Sequence, residues 1–277
     1  MPKGSLACPP WPSRHNTPFA MTLTPHPYFE CTQKLLGDAH FERLQQAHIL
    51  VVGLGGVGSY AIEGLVRSGV GRLTLVDFDT LSASNINRQL HAMPSCFARP
   101  KVELMLERCR AIQPNMGLRG LRMRYQPDTS EAILDAPKEA PYSVVLDAID
   151  QTQNKLHLIH HCMQRKLPLV SAMGAAGRLN PAAVRVDDLA YTEMDPFAKN
   201  IRRQLRRKFG WSFTSPTHVT AVYSTEIRNP QALAPRPSVI TENQDNPYGQ
   251  KTLGSAVFVT AVFGMHAAAA AVAKLAP

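Results

Sequence analysis

Short apolar runs alternate along this chain with longer stretches in which apolar positions recur every three or four residues. Ile49–Val52 and Leu73–Val76 are apolar throughout or nearly so, and Val144–Asp150 is a buried run that ends in acid. Runs of this kind mark strands covered on both faces. Leu167–Ala172 predicts a further strand and Leu118–Arg124 another. Helical stretches separate them. One follows Gly58 to about Arg67. A second runs from Pro100-Lys101 through Ile112, with Val102, Leu104, Met105, Leu106 and Ile112 apolar, and Pro114 closes it. Proline suits the first position of a helix. Asp128 and Thr129 are expected to cap a short helix through Leu134, and Asn154–Arg165 predicts another. Tyr28–Gln46 reads as a helical arm before the first strand. This alternation predicts an α/β fold: a Rossmann-like, mostly parallel sheet with helices on both faces.

From about Arg178 the pattern becomes mixed, with short strands interspersed with helix. Asp195-Pro196 caps and opens a helix whose buried stripe is Phe197, Ile201, Leu205 and Phe209. Gln231–Gly249, rich in proline, asparagine and glutamine, reads as a long loop. Ala256–Ala273 approaches the length of a membrane span. It is alanine-rich and interrupted by Gly264 and His266, so burial in a subunit interface is expected and stable membrane insertion is not. Residues 1–27 read as a disordered leader, in which Met21 offers an alternative start. No Pro/Gly/Ser linker divides the remainder, so residues 28–277 are expected to form one domain on one continuous sheet.

Charge narrows the partners. With 30 lysines and arginines against 21 acids the net charge is +9, which points to a polyanion, nucleic acid ahead of membrane. The helix after Asp195 carries Lys199, Arg202, Arg203, Arg206, Arg207 and Lys208 outside its apolar stripe. Arg202/Arg206 and Arg203/Arg207 are like-charge pairs one turn apart, each costing about 0.2–0.5 kcal/mol in an isolated helix. RNA phosphates would offset that repulsion, so these four arginines are the expected RNA-binding set. A solvated basic helix is the plainer alternative. The five cysteines stand singly with no C-x-x-C pair, which argues against a zinc ribbon and for a reducing, cytoplasmic setting.

The chemistry concentrates between His48 and His91. The first strand runs into Gly53-Leu54-Gly55-Gly56-Val57-Gly58, a helix follows, and the second strand ends at Asp77. Glycines let backbone approach a phosphate, the helix start offers free N–H groups, and an acid at the second strand tip suits ribose hydroxyls. A tight turn without a ligand would look similar. The stretch beyond Asp77 is more distinctive: Phe78-Asp79, then Ser84-Asn85-Ile86-Asn87-Arg88-Gln89. A nicotinamide domain gives no account of an Asn-x-x-Arg there.

On these residues, together with Lys101–Pro114, Val145–Asp150, Ser171–Gly177 and Thr260–Gly264, the sequence resembles the ubiquitin-activating-enzyme-like adenylating family of the ThiF type. Within it the chain looks most like the branch that dehydrates threonylcarbamoyladenosine in tRNA. The resemblance implies a nucleotide half over about residues 48–177 and a substrate half over about 178–277. It implies ATP and Mg²⁺ as cofactors. Gly53, Gly55, Gly56 and Gly58 would cradle phosphates, and Asp77 would take the ribose. Asp79 and Asn85 complete the nucleotide set, Arg88 and Lys101 would contact phosphates, and Asp150 would work with Mg²⁺. Asp147 is a second candidate acid. Lys34 stands where relatives carry an arginine that reaches into the partner subunit's site, so a homodimer is implied. The implied reaction is ATP-dependent cyclisation of N6-threonylcarbamoyladenosine at position 37 of tRNA, and a cysteine desulfurase system is a possible partner. Ala221 precedes Val222-Tyr223-Ser224-Thr225-Glu226, where relatives often carry cysteine, which argues against sulfur transfer. Three readings compete: adenylation of a ubiquitin-like sulfur carrier, a NAD-dependent oxidoreductase, and noncatalytic RNA binding.

Overall fold

A computed structural model describes residues 27–135, 137, 140–233 and 253–276. The expected leader, apart from Pro27, and all but the first residues of the expected loop at 231–249 lie outside these. The helical arm is two helices, α1 (Glu30–Leu36) and α2 (Asp38–Gln46), broken at Gly37, whose φ of 79° no continuous helix adopts. Next come β1 (His48–Val52), α3 (Gly58–Ser68), β2 (Arg72–Val76), α4 (Lys101–Ile112) and β3 (Gly117–Leu121). After them run α5 (Ser130–Leu134), β4 (Val144–Asp147), α6 (Thr152–Gln164) and β5 (Leu169–Ala172). The second half adds β6 (Val184–Asp188), α7 (Pro196–Phe209), β7 (Val219–Ser224) and α8 (Val257–Ala273).

Among the described residues seven strands join one sheet in the order β3-β2-β1-β4-β5-β7-β6. Every pairing is parallel except β6 on β7. Side chains alternate faces along β1: Ile49 and Val51 join one core cluster, Leu50 and Val52 the other. The first cluster includes apolar side chains of α3, α4 and α8, and the second those of α5, α6 and α7. An uninterrupted apolar run is what this double coverage requires. Strand order reverses between β1 and β4, and the carboxyl ends of these two strands open the crevice where ligands of such sheets bind.

Three local expectations need correction. β3 ends at Leu121, not Arg124; the Leu121 carbonyl accepts the Asp77 N–H at 3.3 Å and the Met123 N–H at 2.9 Å, which turns the chain out of the ladder. Asp128 and Thr129 do not cap α5. The Thr129 hydroxyl accepts from the Gln126 N–H at 3.1 Å and donates to the Arg124 carbonyl at 2.6 Å, closing the preceding 3-10 turn. β4 ends at Asp147, three residues before Asp150.

α7 starts as its sequence predicts. Asp195 accepts the N–H groups of Phe197 (2.8 Å) and Ala198 (3.1 Å), and Ile201 and Leu205 are fully buried. α8 packs across α3 on the face of the sheet covered by the first core cluster. A methyl group at Gly264 would stand 2.5 Å from the Val57 carbonyl, so the two backbones touch there and only glycine fits. Val259, Phe263, Ala267 and Ala271 face that packing, whereas Val257, Phe258 and Met265 are exposed. Among the described residues no helix is long and apolar enough to cross a membrane.

Candidate nucleotide and RNA site

The glycine turn is set by contacts that exclude side chains. Gly53 has a φ of 94°, and a Cβ there would lie 2.8 Å from the Ala148 carbonyl at the end of β4. A Cβ on Gly58 would fall 1.8 Å from the Gly53 carbonyl. The turn is therefore coiled tightly between β1 and β4, with the first turn of α3 aimed into the crevice, the arrangement that receives a phosphate. Gly55 is different: nothing stands within 4 Å of where its side chain would be, so its face of the turn is open. Gly56 packs against Arg88, with 3.2 Å from its would-be Cβ to the arginine Cγ.

Asp77 closes β2 and is 8% exposed. Its Oδ2 accepts the Leu54 N–H at 2.7 Å and its Oδ1 the Asp79 N–H at 2.8 Å, so the acid shapes the glycine turn as well as facing the crevice. Burial raises its pKa above the usual carboxylate value, and nearby Lys101 opposes the rise. Lys101 begins α4, is itself 5% exposed, and donates to Asp79 Oδ2 at 2.9 Å. Asp79 is thus the partner that orients Lys101. Asn85 is buried and spends its side-chain oxygen on the Ser82 N–H at 3.1 Å, closing the turn from which Arg88 projects. One guanidinium nitrogen of Arg88 donates to the Ser84 carbonyl (2.8 Å) and to Asn87 Oδ1 (2.9 Å). Asn87 in turn donates to the Ser255 carbonyl just before α8. Burial lowers the Arg88 pKa and the charge of Asp150 works against that, which sets the two groups in one field. Asp150 is exposed and makes no hydrogen bond among the described residues.

The crevice thus gathers the glycine turn, Asp77, Asp79, Arg88, Lys101 and Asp150. Asp147 stays out of it. It is fully buried, with Lys155 Nζ at 2.5 Å and Ser171 Oγ at 2.6 Å on the same oxygen, and it is a structural acid. Lys34 is also elsewhere, exposed on α1 and paired with Glu30 at 2.6 Å. No group of three or more histidine, cysteine or acidic side chains gathers as a metal site among the described residues.

The arginine helix is less uniform than its sequence. Arg202 is half-buried and donates to the Thr192 carbonyl at 2.7 Å and to the Leu189 carbonyl at 3.3 Å, so part of its donor set is spent within the protein. Arg203, Arg206 and Arg207 are exposed, and a groove of about 500 Å³ is lined by Lys199, Arg202, Arg203 and Arg206.

Several side chains of consequence carried no signal in the sequence. Arg178, 1% exposed, pairs with the N-cap Asp195 at 3.0 Å and donates to the Gly174 carbonyl at 2.6 Å, tying the loop after β5 to the start of α7. Glu226 accepts the Leu179 and Asn180 N–H groups and holds that same loop. His91 is buried, and neither ring nitrogen has a partner among the described residues.

The chain is 36% identical over 256 residues to the tRNA threonylcarbamoyladenosine dehydratase of Escherichia coli (strain K12), covering 89% of this chain and 92% of that protein. It is 40% identical over 180 residues to the enzyme of the same name from Bacillus subtilis (strain 168), covering 65% and 69%. The crystal structure of the Escherichia coli tRNA N6-threonylcarbamoyladenosine dehydratase in complex with ATP superposes with a TM-score of 0.77 at 35% identity, over 90% of this chain and 93% of that one. Residues 30–274 match the ThiF family, and the chain belongs to it.

Proposed function

We propose that the protein dehydrates N6-threonylcarbamoyladenosine at position 37 of tRNA, through a carboxyl adenylate formed from ATP. The observation that carries this reading is the Arg88 side chain packed on the glycine turn within the field of Asp150. Joining a carboxylate to the α-phosphate brings two anions together, so such a site needs fixed cations more than a nucleophile. The substrate carboxylate attacks the α-phosphorus and pyrophosphate leaves. The carbamoyl group of the same modification then attacks the activated carbonyl, a ring closes, and AMP departs with its bond to the acyl carbon broken. The second attack is intramolecular and gains from high effective concentration.

Each residue has a part in this scheme. Arg88 offers a bidentate fork to phosphate and Lys101, held by Asp79, a point charge. Asp77 takes ribose hydroxyls. Asp150, an exposed carboxylate with no hydrogen bond among the described residues, would hold Mg²⁺ with phosphates and water, which suits an ion that usually takes one or two carboxylates; bound there, the ion would neutralise phosphate charge. Arg203, Arg206 and Arg207 would meet tRNA phosphates. The exposed apolar residues of α8 support a homodimer, in which Lys34 could reach the second site. The free cysteines suit a cytoplasmic enzyme, and a cysteine desulfurase system is a candidate partner.

The test is mass spectrometry of nucleosides from tRNA incubated with the protein, ATP and Mg²⁺. Loss of one water from the threonylcarbamoyl adenosine is expected with wild type and not with Arg88→Ala. An unchanged nucleoside mass with folded, ATP-binding protein rejects the reading. ATP–pyrophosphate exchange driven by a sulfur-carrier protein instead of tRNA would favour carrier activation.

A further inference from the structure

α6, the last residue of α7 and the segment that follows it carry a set of rings that the reaction leaves unused. The His160 ring lies parallel to Phe209, with centroids 3.9 Å apart and 12° between planes. Trp211 donates its indole N–H to His160 Nδ1 at 3.2 Å, and its ring stands 6.1 Å from Phe213. The Arg206 guanidinium lies over Phe213 at 5.6 Å. Phe209, Trp211 and Phe213 pack against the second core cluster and keep part of their surface in water at its rim. They adjoin the exposed cations of α7 and no acid is paired with Arg206 or Arg207 among the described residues.

The position relates to the crevice. Lys208 donates to Gln153 Oε1 at 2.5 Å, in the first turn of α6, three residues after Asp150. His160 lies seven residues further along α6, about 10 Å at 1.5 Å per residue. A stacked strand advances 3.4 Å per nucleotide, so about three nucleotides span that distance. Aromatic rings interleaved with arginine are how proteins hold unpaired RNA, because every base has a π-face and every nucleotide a phosphate.

We propose that Trp211 and Phe213, with Arg206, form a stacking platform for unpaired nucleotides that flank the reacting adenosine. This rests on the function proposed above and names the part of the RNA that α7 reads: a single-stranded loop, not a duplex.

The test uses the full chain with Trp11→Phe, which leaves Trp211 as the only indole, since the sequence has two tryptophans. A synthetic anticodon stem-loop is titrated, with the same stem closed as a duplex for comparison. Quenching of Trp211 emission by the loop and not by the duplex is expected. Trp211→Ala should weaken loop binding about 5- to 150-fold, leave the salt dependence unchanged and leave ATP binding intact, and Trp211→Phe should recover most of the loss. Loop RNA that binds wild type with unchanged emission, or that binds Trp211→Ala as tightly, overturns the platform and spares the proposed function. Equal quenching by an acidic peptide overturns it in favour of a protein partner. If wild type binds no RNA at all, the proposed function falls as well. Should Trp211→Ala lose ATP binding, the emission of the intact fold decides alone.

Discussion

Replacing Lys155 by methionine should cost more stability than any substitution on the surface of α6. Lys155 and Asp147 are both fully buried, and Nζ stands 2.5 Å from Oδ2. Lys155→Met removes one charge and leaves the other with only the Ser171 hydroxyl and the Ile149 N–H, at 2.6 and 2.9 Å. Breaking a buried pair from one side costs about 3–5 kcal/mol, because a lone charge remains out of water. The value belongs at the lower end here, since two hydrogen bonds survive. In the double variant Asp147→Asn/Lys155→Met no charge remains. The asparagine oxygen can still accept the Ile149 N–H and its amide can donate to Ser171, so the double variant should lie within about 1 kcal/mol of wild type. The coupling between the sites is the sum of the two single losses less that of the double, so it exceeds the Lys155→Met loss alone whenever Asp147→Asn, which strands the buried Lys155, costs more than the double. Urea unfolding followed by far-UV circular dichroism measures all four corners of the cycle. A single variant that loses less than about 1 kcal/mol, or a double variant worse than the single, refutes the reasoning. Turnover should follow: Asp147 ends β4 and sets the path to Asp150, so the single variant should lose activity that the double regains.

Other perturbations have equally definite outcomes. Gly58→Ala puts a methyl 1.8 Å from the Gly53 carbonyl, so ATP binding measured calorimetrically should vanish while the circular dichroism spectrum stays near native. His91 titrates near 6.5 when unfolded, and burial, with Lys101 and Arg108 nearby, depresses it to about 4 in the fold. A depressed histidine stabilises above its unfolded pKa, so stability should fall by about 3 kcal/mol between pH 6.5 and 4; His91→Leu should flatten that part of the curve, and identical slopes would contradict it. Arg203→Glu/Arg207→Glu should weaken RNA binding and reduce its salt dependence, as fewer phosphate contacts release fewer counterions.

The parallel strands were legible because burial on both faces leaves a one-dimensional trace. β1 and β2 are close to the runs Ile49–Val52 and Leu73–Val76, each one residue longer at its start. What the linear pattern hides is which partner a polar side chain chooses. Asn85 looks like a ligand and is a turn-closing acceptor. Arg202 shares its spacing with Arg206, yet the carbonyls of Leu189 and Thr192, ten or more residues upstream, claim it. Asp147 and Asp150 end the same run; one is enclosed by a lysine eight residues on, the other left to solvent. Arg178 and Asp195 meet across seventeen residues, and nothing in either neighbourhood announces it. Ala221 is wholly buried in β7, so its side chain faces the core.

The contact of Gly264 with the Val57 carbonyl has a consequence for synthesis. The loop that begins at Gly53 is completed by a helix more than two hundred residues later, because α8 seats the first turn of α3 from behind. A nascent chain stopped before Val257 has every residue of the glycine turn but lacks its buttress. Nucleotide capacity is therefore expected to appear late and all at once as the polypeptide leaves the ribosome, and half-made chains should draw nothing from the cellular ATP pool.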